Sequence, residues 1–484
     1  MSVPSRCYHD LQTRHDLYHF LAAHTRQAVS DHSFSADLSR SPTHPSHQIV
    51  SIAAAIDPID PLVVLDQLAV PQQPKFYFET RSQGLAIAAI GATAQLQIDG
   101  RDRFTQAKTW IRQTLSRLRR VGDSTVPLAS PRFFCSFGFF DHAAGDAVFP
   151  ATTVILPSWQ IVRQGDRSSV LANLVLEPTR SLAQTVDEFW QTLQKIRAIK
   201  HHLLQPSIDQ RALLHLQDVV EPQRFCQAVQ SVLRPIQAQT LHKVVLAHAI
   251  DLQSPLPFQV VQSLQRLRSV YPDCHLFLNS NGKGQHFIGA SPERLIQLQD
   301  GELLTDALAG SAPRGRTPSE DAQIADRLVN HPKELHEHTL VRDFILDQLA
   351  QVGLRARSAP LRLLQLSNIQ HLHTPIHATV PHQHHLLDLV AQLHPTPAVA
   401  GLPRAKACDL IQQHEAFARS LYAAPIGWVD QQGNGEFVVG IRSALIDGCH
   451  ARLYAGAGIV AGSDPDRELA EVQLKLRAMS ATIV

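Results

Sequence analysis

Apolar residues recur at helical spacing over residues 104–120, at Trp110, Ile111, Leu115 and Leu118, and again over 182–203, which predicts two helices. Between them CSFGFF (135–140) reads as a strand, and 151–177 as two β-rich runs about the turn-forming Gln164, Gly165 and Asp166. The second half interleaves further elements. A helix is expected over Pro222–Gln237, a strand over 243–252, a helix over 258–270 and a hairpin over 274–290 turning at Gly282, Lys283 and Gly284. Another strand pair ends at Leu308. Thr317, Pro318 and Glu320 combine an N-cap hydroxyl, a proline at the first helical position and a capping-box carboxylate, so a helix starts there. A second follows over Pro332–Gln351. Residues 425–462 read as three antiparallel strands turning at 433–435 and 447–448, before a last helix beginning near Pro465. Hairpins dominate, so a largely antiparallel sheet with helices outside it is expected.

Composition narrows the function classes. The 484 residues carry 44 Lys and Arg against 43 Asp and Glu, a formal charge of +1, and are 44% hydrophobic. Neither a nucleic-acid binder nor a disordered chain fits that balance. The longest small-apolar run, 85–94, falls far short of the roughly 18–20 residues that a membrane span needs. The amino terminus alternates polar and apolar residues, unlike a secretory signal, and six scattered cysteines form no CxxC pair, so a cytoplasmic location is expected. Residues 39–47, rich in Ser, His and Pro, read as a loop. Most of the 27 histidines, among them His382, His384 and His385, read as solvated.

Several constellations could carry chemistry. On the last helix Glu468, Glu471 and Lys475 fall within roughly 60° of one face, where paired carboxylates suit a hard cation such as magnesium, or else form an exposed salt bridge. His336 and His338 flank Glu337 without the HExxH spacing of a zinc site. Gly456 to Ala461 matches the loose GxGxxA form, but too little chain follows for a dinucleotide-binding unit. It reads instead as a strand-end turn whose N–H groups approach an anion. Lys243 opens an apolar strand, and Glu293 sits in the turn Gly289-Ala290-Ser291-Pro292-Glu293; read singly, each is a strand-edge or turn charge.

Taken in order, KVVLAHAIDL, FIGASPERL, DALAGSAPRG, ELHEHTLV, LHPTPAVAG, GEFVVGIRSA, LYAGAGIV and ELAEVQLKL resemble the chorismate-utilising enzymes. The resemblance implies an α+β fold, one large domain with two antiparallel β-sheets packed between layers of helices. It divides the chain into a poorly predicted segment 1–50, a part of the fold without site motifs over 51–210, and the chorismate-binding catalytic part over 211–484. Lysine at the position of Lys243 resembles the branch that uses water, where nitrogen-installing branches carry glutamine, and Ala309 stands where aminodeoxychorismate synthases place a nucleophilic lysine. An isochorismate synthase is therefore expected, with salicylate synthase as the nearest alternative and a non-catalytic chorismate-binding relative as a third. The product would feed a naphthoquinone or a catechol-siderophore pathway. No glutamine amidotransferase partner is expected.

Carried onto this chain, the resemblance makes Lys243 the general base for water at ring carbon C2 and Glu293 the general acid for the C4 hydroxyl. It makes Glu337 and Glu471 the Mg2+ ligands, with Glu468 reaching the metal through water. Arg442, Lys475 and the backbone at Gly456 receive carboxylates, and Gly310, Ser311 and His371 line the pocket. Lys243 and Glu293, if close, would tend to pair and oppose the protonation states their roles require. His248 and Ala312 depart from the family pattern, each standing where arginine is usual.

Overall fold

The computed structural model describes residues 13–19, 22, 48–68, 70–121, 129–145, 147–176, 181–199, 214–366 and 369–483. The expected 39–47 loop and the last turn of the 182–203 helix lie outside them. Two large sheets face each other, and among the described residues one has thirteen strands and the other ten. Among the described residues, pairing is antiparallel except between Gln48–Ile56 and Leu118–Val121.

Both halves of the chain build both sheets. Lys75–Thr80 pairs with His275–Ser280 in the larger sheet, and Arg132–Phe137 with Pro425–Asp430 in the smaller. Between the layers Phe76 meets Phe134 with ring centroids 4.6 Å apart, and Asn279 Nδ2 donates to Ser136 Oγ at 2.8 Å. The apolar run at 85–94 is explained by this layering. Leu85–Ile90 is buried throughout because the Pro61–Leu68 helix packs against it, and strands covered on both faces lose the alternating pattern. No helix among the described residues is long and apolar enough to cross a membrane.

The expected helices Pro222–Gln237 and Pro332–Gln351 are found with those bounds, and Thr317 Oγ1 accepts from Glu320 N at the start of Pro318–Asn330. Two strand predictions need correction. Residues 151–177 form three strands, not two: Thr152–Leu156 belongs to the smaller sheet, Trp159–Gln164 and Arg167–Leu176 to the larger, with the change of sheet at Pro157. Residues 425–462 form four strands, not three. Pro425–Asp430 and Gly435–Val439 lie in the smaller sheet, Ser443–Asp447 and His450–Ile459 in the larger. A period of two does not say which sheet a strand joins, so a corner between sheets reads as continuous strand. Shorter revisions concern the 104–120 helix, which ends at Ser116 before the Leu118–Val121 strand, and the 135–140 strand, which spans Arg132–Phe137.

Interior polar groups also revise the reading of the histidines. His248, His275, His338, His371, His373 and His394 are buried, and His385 caps the Leu386–Leu393 helix by accepting from Leu387 N at 3.1 Å.

Candidate active site

A cavity of about 150 Å³ opens between the end of the two sheets and two helices. Its sheet wall carries Glu293, Gly310, Ser311, His371, Arg442 and Gly456; its helix wall carries Glu337, Glu468, Glu471 and Lys475. Ten of the eleven predicted site residues thus line one space. The eleventh, Lys243, lies beneath that surface, its side chain 1% exposed and its Nζ 2.7 Å from Glu337 Oε1. A lysine so placed is not a strand-edge charge.

The sheet wall is built at irregular backbone. Glu293 occupies the corner where the chain passes from the Gln285–Ser291 strand of the larger sheet to Arg294–Gln299 of the smaller. There its N–H donates to Ser291 Oγ at 3.2 Å and its carbonyl accepts from Val439 N. The side chain is buried. That burial, aided by Asp306 and opposed by Lys243, pushes the carboxyl up to about 8, so it holds a proton at neutral pH. The feared pairing of Glu293 with Lys243 does not form, since the ammonium pairs with Glu337 instead.

Gly310 sits at a bulge in Glu302–Pro313, where the register against Ile369–Thr379 slips between Ala309 and Ser311. Its φ of 78° suits glycine, and a Cβ there would stand 3.2 Å from Glu334 Oε2. Ser311 Oγ lies 2.7 Å from His371 Nδ1, and Arg442 Nη2 lies 3.2 Å from His371 Nε2. Guanidinium only donates, so His371 Nε2 accepts and Nδ1–H donates to Ser311, which leaves the serine proton to point elsewhere. Burial, with Arg442 and Lys475 nearby, holds His371 well below the usual histidine range and therefore neutral. Arg442 itself has φ 48° at the second corner between sheets, and its guanidinium stacks 5.3 Å from the Tyr271 ring centre.

The expected strand-end turn at Gly456 is corrected. Gly456 to Ile459 lie within the His450–Ile459 strand, and the turn follows at 460–463. Here glycine provides room: a Cβ at Gly458 would stand 2.6 Å from Glu337 Oε1 and 3.0 Å from Lys243 Cε. Lys475 Nζ donates to Gly456 O at 3.0 Å, so that residue contributes a carbonyl already in use.

On the helix wall every predicted metal carboxylate meets an ammonium: Glu337 with Lys243, Glu471 with Lys475 at 2.7 Å, and Glu468 with Lys333 at 3.2 Å. Burial disfavours ionised Glu471, but Lys475, Lys333 and Lys243 outweigh it and hold the carboxyl below its usual range. Glu334 is pushed the other way by burial and by Glu337 and Glu471. Carboxylates that crowd and repel are donor chemistry for a hard divalent ion, and magnesium needs only one or two of them, completing its shell with water and substrate. Among the described residues no three acidic, histidine or cysteine groups converge into a preformed cage. The donor set fits a magnesium ion bound with open positions.

Lys333, Glu334, Tyr422 and Tyr454 also line the cavity and were missed. Lys333 and Glu334 precede Glu337 by four and three residues, the same-face spacing that marked the last helix. The tyrosines, stacked 5.1 Å apart, carry no such signal. Beneath them the buried Arg419 pairs with Glu415 and donates to the carbonyls of Val399 and Val245, both cavity-lining residues. The two departures lie outside: His248 bonds Asp218 at 2.7 Å, and Ala312 is not part of the lining.

The two sheets thus deliver a carboxyl raised above its usual range and an arginine at their corners, facing a helix wall of carboxylates. The family described as chorismate binding enzyme matches residues 36–484, and the chain belongs to it. It is 35% identical over 442 residues to the salicylate biosynthesis isochorismate synthase of Pseudomonas aeruginosa, covering 89% of each chain. It is 30% identical over 439 residues to the isochorismate synthase MenF of Escherichia coli, covering 90% of this chain and 93% of that one. The solved structure of the menaquinone-specific isochorismate synthase MenF from Escherichia coli superposes with a TM-score of 0.74 at 27% identity, covering 96% of this chain and 99% of that one.

Proposed function

We propose that the protein is an isomerase that converts chorismate to isochorismate with water as the incoming group. The observation that carries the reading is Glu293, a buried carboxyl that keeps its proton to about pH 8 at the edge of a cavity furnished with basic groups. In the reaction Lys243 is the base that takes a proton from water as the oxygen bonds to ring carbon C2. The ring double bonds shift, the C4–oxygen bond breaks, and Glu293 gives its proton to the departing hydroxyl, which leaves as water. One water enters and one leaves, and proton return from the lysine to the glutamate through solvent restores both groups.

Arg442 and Lys475 receive the substrate's two carboxylates, which need such positive partners on leaving bulk water. Ser311, with its oxygen engaged by His371, has its hydroxyl proton free to donate to substrate. A bound magnesium ion would supply positive charge to the ring carboxylate, held by Glu337 and Glu471, with Glu468 acting through water. Water as nucleophile requires no ammonia source, so a glutamine amidotransferase partner has no part in the proposal.

The test is incubation of the purified protein with chorismate and magnesium, with chromatographic identification of products. Isochorismate as sole product supports the reading. Salicylate with pyruvate would assign the chain to salicylate synthesis, and binding without turnover would make it a non-catalytic relative.

A further inference from the structure

Of the basic groups at the cavity, Lys243, Arg442 and Lys475 have roles in the proposed chemistry. Lys333 has none, and its position is unfavourable by ordinary rules. It is the second residue of the Pro332–Gln351 helix, in the first turn, where unpaired N–H groups and the helix dipole disfavour a cation. Its side chain is nevertheless drawn in to 30% exposure, with Nζ 3.2 Å from Glu468 Oε1 on the Pro465–Ser480 helix. Something compensates that cost.

The surrounding charges indicate what. Glu334, Glu337, Glu468 and Glu471 face Lys243, Lys333, Lys475 and Arg442, so the wall is nearly balanced before any ion or substrate arrives. Remove Lys333 and the carboxylates of two helices repel across the cavity with one ammonium fewer between them. Add a divalent cation and the same ammonium becomes a competitor for Glu468.

We propose that Lys333 is the internal counter-ion of the carboxylate wall: it holds Glu468 and the two helices together in the cation-free protein and gives way when magnesium binds, thereby setting the affinity for the metal. The proposal rests on the magnesium reading above. The exchange needs no proton transfer: only the partner of Glu468 changes.

The test is calorimetric titration of magnesium chloride into the substrate-free full-length protein, with thermal unfolding followed in EDTA and in saturating magnesium. Lys333→Gln should bind magnesium about two- to fivefold more tightly, the ratio that loss of a partly exposed competing ion pair supports. Its unfolding temperature should fall in EDTA and be restored by magnesium, so the metal-induced rise exceeds that of the wild type. Lys333→Arg, which keeps the charge, should retain wild-type affinity. Equal or weaker magnesium binding by a folded Lys333→Gln overturns the proposal, as does a Lys333→Gln chain that fails to fold even with magnesium, which would make the lysine a scaffold element. A wild-type protein that binds no magnesium would instead overturn the metal reading itself, and this inference with it.

Discussion

The two walls of the cavity handle charge in opposite ways. On the sheet wall Glu293 is buried and keeps its proton, and His371 is buried and stays neutral. On the helix wall Glu337, Glu468 and Glu471 are each paired with a lysine. Strand corners and bulges hold the first set by backbone geometry, whereas long side chains from separate helices hold the second by mutual attraction. The difference teaches that burial without a charge partner prepares a proton donor, while exchangeable ion pairs prepare a site for ions. Lys243 spans the division: it rises from a strand and pairs with a helix.

The largest effect should come from breaking the helix wall. Glu337→Gln or Glu471→Gln is expected to abolish turnover with the fold intact, and exhaustive chelation should do the same to the wild type; full activity after chelation would remove magnesium from the mechanism. On the sheet side, Glu293→Gln and Lys243→Gln should each lower kcat by roughly 10²–10⁴-fold, with much smaller changes in substrate affinity. Near-normal isochorismate formation by Lys243→Gln would return that residue to a purely structural role.

Gly458→Ala probes the seam between the walls. Its methyl must displace Glu337 or Lys243, so about a tenfold loss of kcat/KM is expected together with about 1–3 kcal/mol of stability, read by kinetics and thermal unfolding. A smaller effect follows from pH. Glu293 works only as an acid, so activity should fall as pH rises through about 8. Unfolded, the same group releases its proton near 4.5 while the folded protein keeps it, so wild-type stability should decline from about 4.5 to about 8. Glu293→Gln should lack that decline in paired melts. The mildest change is Ser311→Ala, expected to raise KM a few-fold with little loss of kcat.

How much of this was legible in the sequence depended on the kind of signal. Caps and periodicity placed the Pro318–Asn330 and Pro332–Gln351 helices because their determinants are local. Strand number failed at Pro157 and at 440–442, where the chain changes sheet without changing its alternation. The site residues were carried by the ordered motifs of a family, and all but one reach the cavity surface. The pairing of Lys243 with Glu337 joins residues 94 apart, and no local pattern encodes it. Lys333 was within reach of the spacing argument used for Glu468 and Glu471, since it stands four residues before Glu337.

Glu293 and Arg442 sit where the chain steps from one sheet to the other, so neither belongs wholly to one layer. Their separation is fixed by how the two layers are stacked, much as the gap between scissor blades is fixed at the pivot. That pivot lies partly in the amino-terminal strands, where Phe76 rests on Phe134 and Asn279 reaches Ser136. The amino-terminal half, which among the described residues lends no chemical group to the cavity, therefore bears on its alignment, and a slip between layers there would misplace the acid without touching it.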